Sequence, residues 1–97
     1  METYVILRRH GFRDGDDLRA AAERSTIEGE EMSDGVRWIR SYVLAEEDGT
    51  LGTVCIYQAT SPEAVLEHAR RAGLPADEVI PSPDTVIVRP DPEPVPA

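Results

Sequence analysis

Apolar and polar side chains alternate from Thr3 to Arg9, with Tyr4, Ile6 and Arg8 on one side and Val5 and Leu7 on the other. A period of two predicts a first strand. Gly11 and Gly15 then bracket a loop, and Asp14 or Asp16 stands where a helix cap belongs. Leu18, Ala21, Ala22, Ser25 and Met32 follow at helical spacings, with Arg19, Glu23, Arg24, Glu30 and Glu31 on the other side and Gly29 weakening the last turns. Val36 to Ala45 and Leu51 to Thr60 read as two strands joined around Asp48-Gly49, a dipeptide suited to a two-residue type I′ turn. Ser61 caps a second helix with Pro62 at its first position, and Gly73 followed by Pro75 ends it. Val86, Ile87 and Val88 form the expected last strand, with Pro81 and Pro83 just before it confining it to a sheet edge.

The order β-α-β-β-α-β defines an α+β, ferredoxin-like fold: a four-stranded antiparallel sheet with strands one and three at its centre and both helices on one face. A two-residue turn at Asp48-Gly49 sets Val43 opposite Val54, Ser41 opposite Ile56 and Ile39 opposite Gln58. That face is aliphatic, shares Val5 and Leu7, and is the expected seat of the helices. The other face pairs Tyr42 with Cys55, Arg40 with Tyr57 and Trp38 with Ala59, and adds Tyr4, Ile6 and Arg8. Left in water, it is a large apolar patch for a soluble monomer. The expectation is therefore a homodimer joined face to face, a dimeric α+β barrel-like assembly. In it Trp38, Arg40, Tyr42, Cys55 and Tyr57 line either a closed core or a small-molecule cavity.

Length fits one domain over residues 1–89, burying roughly 60–65% of its unfolded surface, with residues 90–97 as a Pro-rich, acidic, disordered tail. A net charge of −9 repels phosphate backbones and anionic membranes, so neither nucleic acid nor membrane is an expected partner. All ten basic residues are Arg, which removes Schiff-base chemistry and the phosphate-loop lysine. The single Cys55 excludes an intrachain disulfide and multi-cysteine metal patterns. With no signal-like or membrane-length apolar run, a cytoplasmic location is expected.

No nucleophile elbow, serine triad or glycine-rich phosphate cradle is present, so no catalytic residue is assigned. Cys55 lies between Val54 and Ile56 on a central strand, the ordinary setting of a buried structural thiol. His68 points at the edge of the helix–sheet interface, with no second His or acidic residue at i+4. His10, followed by Asp14, Asp16 and Asp17, is the best local set of nitrogen and oxygen donors, the mixed type that nickel, cobalt or zinc accepts. Those acidic residues also complement a helix N-terminus. Glu46 and Glu47 read as a solvated turn.

Trp38, Ser41-Tyr42, Cys55 with Tyr57 and Ala59, Glu67-His68-Ala69 and Gly73-Leu74-Pro75-Ala76 together resemble a family of small bacterial ferredoxin-like proteins often labelled nickel-binding. The resemblance implies a homodimer of βαββαβ subunits and divalent-metal binding, with His10 and His68 as the imidazoles available. It supplies no catalytic mechanism and no organic cofactor. The expected function is a cytoplasmic, nickel-binding or metal-responsive dimer. The alternative is a small-molecule enzyme or binder that uses the aromatic sheet face.

Overall fold

The chain folds, in a computed structural model that describes residues 1–93, as β1 (Glu2–Phe12), α1 (Gly15–Glu31), β2 (Val36–Ala45), β3 (Leu51–Ala59), α2 (Pro62–Ala72) and β4 (Glu78–Ser82). Both helices begin at the expected caps. Asp14 accepts from the backbone N–H of Asp17 to start α1, and Ser61 accepts from that of Ala64 to start α2. Gly73 ends α2 at φ 67°, a left-handed conformation that a Cβ would disfavour.

The sheet runs β2-β3-β1-β4, antiparallel throughout, with β1 and β3 central as the ferredoxin-like pattern requires. The β2–β3 register differs from expectation by one residue. Within this turn only Gly49 takes a positive φ, of 86°, and the Glu46 N–H donates to the Thr50 carbonyl, so the loop is longer than two residues. Ser41 therefore faces Cys55 and Val43 faces Thr53, while Arg40 and Tyr42 face Ile56 and Val54. A bulge at Ile39 then shifts the pairing once more and sets Trp38 opposite Tyr57.

The two faces are exchanged relative to expectation. Tyr4, Ile6, Arg8, Cys55, Tyr57 and Ala59 lie buried beneath the helices, whereas Val5, Leu7, Val54 and Ile56 are only half-buried on the side without helices. Volume explains the choice. The helices' buried positions are mostly small, with Ala21 and Ser25 in α1 and Val65, His68, Ala69 and Ala72 in α2, so large sheet side chains fill the space between layers. The polar tips of this face find partners: the Tyr57 hydroxyl lies 3.2 Å from Ser25 Oγ, and Tyr4 donates to Glu2 at 3.0 Å.

The last strand is Glu78–Ser82, and Val86-Ile87-Val88 is not part of the sheet. Asp77 fixes this placement by donating its N–H to the Leu7 carbonyl and accepting the Arg9 N–H on its carboxylate, which starts β4 beside β1 directly after α2. Pro81 lies inside the strand, opposite Tyr4, where an edge tolerates a missing N–H. The Val86–Val88 side chains are exposed. The chain beyond β4 passes to the opposite edge, where Asp91 accepts from the Tyr42 hydroxyl at 2.7 Å and pairs with Arg40 Nε at 3.2 Å. The rest of the expected tail, residues 94–97, lies outside the described residues. Among the described residues no helix is long and apolar enough to cross a membrane.

Candidate functional site

His10 belongs to an irregular stretch of β1. Between Arg8↔Thr53 and Phe12↔Leu51 the first strand has three residues where β3 has only Gly52, and His10 takes a φ of 53° within that bulge. A carboxylate holds the bulge in place. Glu46, from the end of β2, accepts the His10 N–H at 2.8 Å and the Arg9 guanidinium at 2.8–3.2 Å, and Arg9 keeps its carboxyl below the usual range. Gly52 makes room for this approach, since a Cβ there would lie 2.7 Å from the Arg8 carbonyl and 3.0 Å from the Glu46 carboxylate. Gly52→Ala should therefore destabilise the fold by about 1 kcal/mol or more. It should also shift the His10 ring resonances in an NMR spectrum; unchanged resonances and an unchanged melting temperature would contradict this account.

The His10 ring is half-exposed and stands between two acids. Nδ1 is 3.0 Å from Asp48 Oδ2 and 3.2 Å from the Thr50 hydroxyl, and Nε2 is 3.5 Å from Glu46 Oε2. Hydrogen bonds from the Thr50 hydroxyl and amide, with a smaller contribution from His10, hold the Asp48 carboxyl down to about 2. A ready anion thus lies next to an accessible imidazole. The two carboxylates approach opposite ring nitrogens, however, so no single point next to one nitrogen sees both of them. Among the described residues no group of three or more His, Cys, Asp or Glu side chains is arranged to hold a metal ion. His10 with Asp48 offers one nitrogen and one oxygen, and water or a second subunit must complete any coordination shell.

The second polar cluster is buried. Arg8 is 1% exposed; its Nε donates to the Pro75 carbonyl at 2.6 Å, its Nη1 lies 3.0 Å from Cys55 Sγ, and its Cζ stands 6.0 Å from the Tyr57 ring centroid. Tyr57 stacks on Trp38 at 6.2 Å and packs tilted against the His68 ring at 5.4 Å. Burial pushes the Tyr57 phenol up. His68 is fully buried, with Nε2 3.0 Å from the Ser25 carbonyl. Only a carbonyl faces that nitrogen, so Nε2 carries the hydrogen, and the bare Nδ1 has no partner. Burial lowers the affinity of the His68 ring for a second proton, and the nearby Arg8 charge adds to this against the opposing pull of the Ser25 carbonyl.

These positions regroup the residues singled out in the sequence. Trp38, Cys55 and Tyr57 stay together and are joined by Arg8 and Ser25, whereas Arg40 and Tyr42 turn to the opposite face and meet Asp91. His10 and His68 occupy separate environments, one at the hairpin end of the sheet and one between α1, α2 and β3. The acidic neighbours of His10 are Glu46 and Asp48. Asp14 and Asp17 instead serve the start of α1, where Asp14 caps the helix and Asp17 accepts the Arg13 N–H. Glu46, expected in a solvated turn, has its side chain only 4% exposed; strand pairing is the signal that could have placed it and Asp48 here, since in an antiparallel β1–β3 pair the residues after Arg8 must reach the β2–β3 loop.

A sheet in the order β2-β3-β1-β4 beneath two helices, with an exposed imidazole at one end and the buried Arg8 inside, defines a small single-domain α+β protein of ferredoxin-like type. The family model described as "Nickel responsive protein SCO4226-like" matches residues 4–81, and the chain belongs to that family. Among solved structures it is similar to SCO4226 from Streptomyces coelicolor A3(2), at 23% identity over 87% of this chain and 99% of that one, with a TM-score of 0.67. That likeness is one of fold. No curated protein sequence matches the chain.

Proposed function

We propose that this chain is a non-enzymatic, cytoplasmic, metal-responsive protein that binds a divalent ion, nickel foremost, at the exposed His10. The observation that carries this reading is the half-exposed His10 ring with the Asp48 carboxylate 3.0 Å from its Nδ1. Imidazole with carboxylate oxygen is a donor set that nickel accepts, and the family's name points to the same ion. Binding at such an open site is weak and reversible. His68 contributes nothing without disruption of the α1–α2 packing around it.

Isothermal titration of the full chain with nickel, cobalt and zinc tests this. Saturable uptake is expected, lost in His10→Ala and weakened in Asp48→Asn. Absence of uptake, or uptake indifferent to His10→Ala, would refute the reading.

The same reading includes a homodimer, now through the side without helices. Val5, Leu7, Val54 and Ile56 form an aliphatic strip there, extended by the exposed Ile80. Burying that strip against its two-fold copy removes apolar surface from water and supplies the second set of donors that a lone His10 lacks. Native mass spectrometry with and without stoichiometric nickel reports subunit count and bound metal together.

A further inference from the structure

We propose that the space between α1 and the β2–β3 side of the sheet is a binding site for a small apolar monocarboxylate, with the Arg8 guanidinium as its anion partner. The cavity measures about 250 Å³. Phe12, Leu18, Ala22, Trp38 and Leu74 give it apolar walls, and Arg8 and Cys55 lie on its sheet side.

The charge on Arg8 carries the argument. Arginine stays protonated, presents five N–H donors and is rarely buried without a counter-ion. Arg9, Arg19, Arg40, Arg70 and Arg71 all lie near the surface and all pair with carboxylates. Arg8, 1% exposed, is the buried arginine among the described residues, and its partners are a carbonyl and a thiol. Its Nη2 is buried with no acceptor. In a chain of net charge −9, an arginine kept from every acidic side chain and set in a cavity wall is a built-in anion receptor.

The walls select what the anion is attached to. An apolar cavity of about 150 Å³ accommodates benzene, so this larger one takes a ring with a short acid-bearing arm. A carboxylate oxygen accepts from the Arg8 guanidinium in a charge-assisted hydrogen bond while the ring replaces empty apolar volume. Inorganic anions and hydrophilic acids gain nothing from Phe12, Leu18 and Trp38. Neutral isosteres accept a hydrogen bond but leave the guanidinium charge uncompensated.

The test uses the full native chain and two probes of equal shape, phenylacetate and phenylacetamide. Trp38 fluorescence reports affinity, and amide chemical-shift mapping reports location. The acid should bind about tenfold or more tightly than the amide, with shifts confined to α1 and the residues of β1, β2 and β3 that line the cavity. Arg8→Met should abolish the preference. Should that variant fail to fold, Ala22→Phe, which fills the space from a half-buried helix position and keeps Arg8, should abolish binding of both probes. Equal affinity for acid and amide, acetate binding as well as phenylacetate, shifts mapping to the surface arginines, or no binding of either probe at millimolar concentration would each overturn the proposal.

Discussion

Tyr57→Ala is expected to remove about half of the protein's stability. Its ring is 1% exposed, stacks on Trp38, packs on His68, and places its hydroxyl beside Ser25 of α1. It therefore connects the second strand, the central sheet and both helices. Truncation of a buried aromatic side chain destabilises by about 3–5 kcal/mol, against a total of roughly 5–10 kcal/mol for a domain of this size. The small inward residues of the helices cannot expand to refill the space. Tyr57→Phe keeps the packing and loses only the hydroxyl contact, at about 1 kcal/mol. Circular dichroism melts of the two variants check the contrast. A folded Tyr57→Ala protein with a near-native melting temperature would mean that the helices pack on the sheet differently.

The second large effect is a loss of stability on mild acidification, traced to one ring. His68 is neutral in the fold because burial opposes its charged form, whereas in the unfolded chain it takes up a proton near its ordinary value of 6.5. A group whose folded pKa lies below its unfolded one destabilises the fold as pH falls below the unfolded value. The limiting slope is about 1.4 kcal/mol per pH unit for as long as the folded ring stays neutral. Asp48 and Glu67, each held down to about 2, act lower, since their contribution is complete above the ordinary carboxylate range and fades as pH falls towards about 2. Thr50 holds the first and Arg70 with Arg71 the second. Urea unfolding between neutrality and the carboxylate range therefore isolates His68. The native chain should lose stability across that interval and His68→Asn should be nearly level; parallel slopes for the two proteins would contradict the assignment.

The parts of the fold that were legible in the sequence are those set by local chemistry. Asp14, Ser61, Pro62 and Gly73 mark helix ends through bonds made within a few residues, and the alternation along β1 and β3 depends on nothing outside those strands. Register and facing are non-local. Asp48-Gly49 fits two turn types, and the choice between them moves Cys55 from opposite Tyr42 to opposite Ser41. The choice of covered face depends on how much volume Ala21, Ser25, Ala69 and Ala72 leave for the sheet, which no strand reveals by itself. The last strand was expected at Val86-Ile87-Val88, after Pro81 and Pro83, whereas an edge position accommodates Pro81 within the strand itself. Of the candidate site, His10 was visible as a donor, but its partners came from a hairpin thirty-six residues or more away in sequence. The isolation of Arg8 is a property of the packed layer and has no local signature.

The same Pro81 bears on what happens when many copies meet at high concentration. An exposed strand edge with an unbroken row of N–H and C=O groups is a template for fibril growth. Here one outer edge is five residues long and interrupted at its fourth by a residue without an N–H. The other carries a bulge at Ile39 between Arg37 and Arg40, which breaks the row and places cations beside it. Neither edge offers a second chain a continuous ladder, so the fold guards against runaway sheet extension.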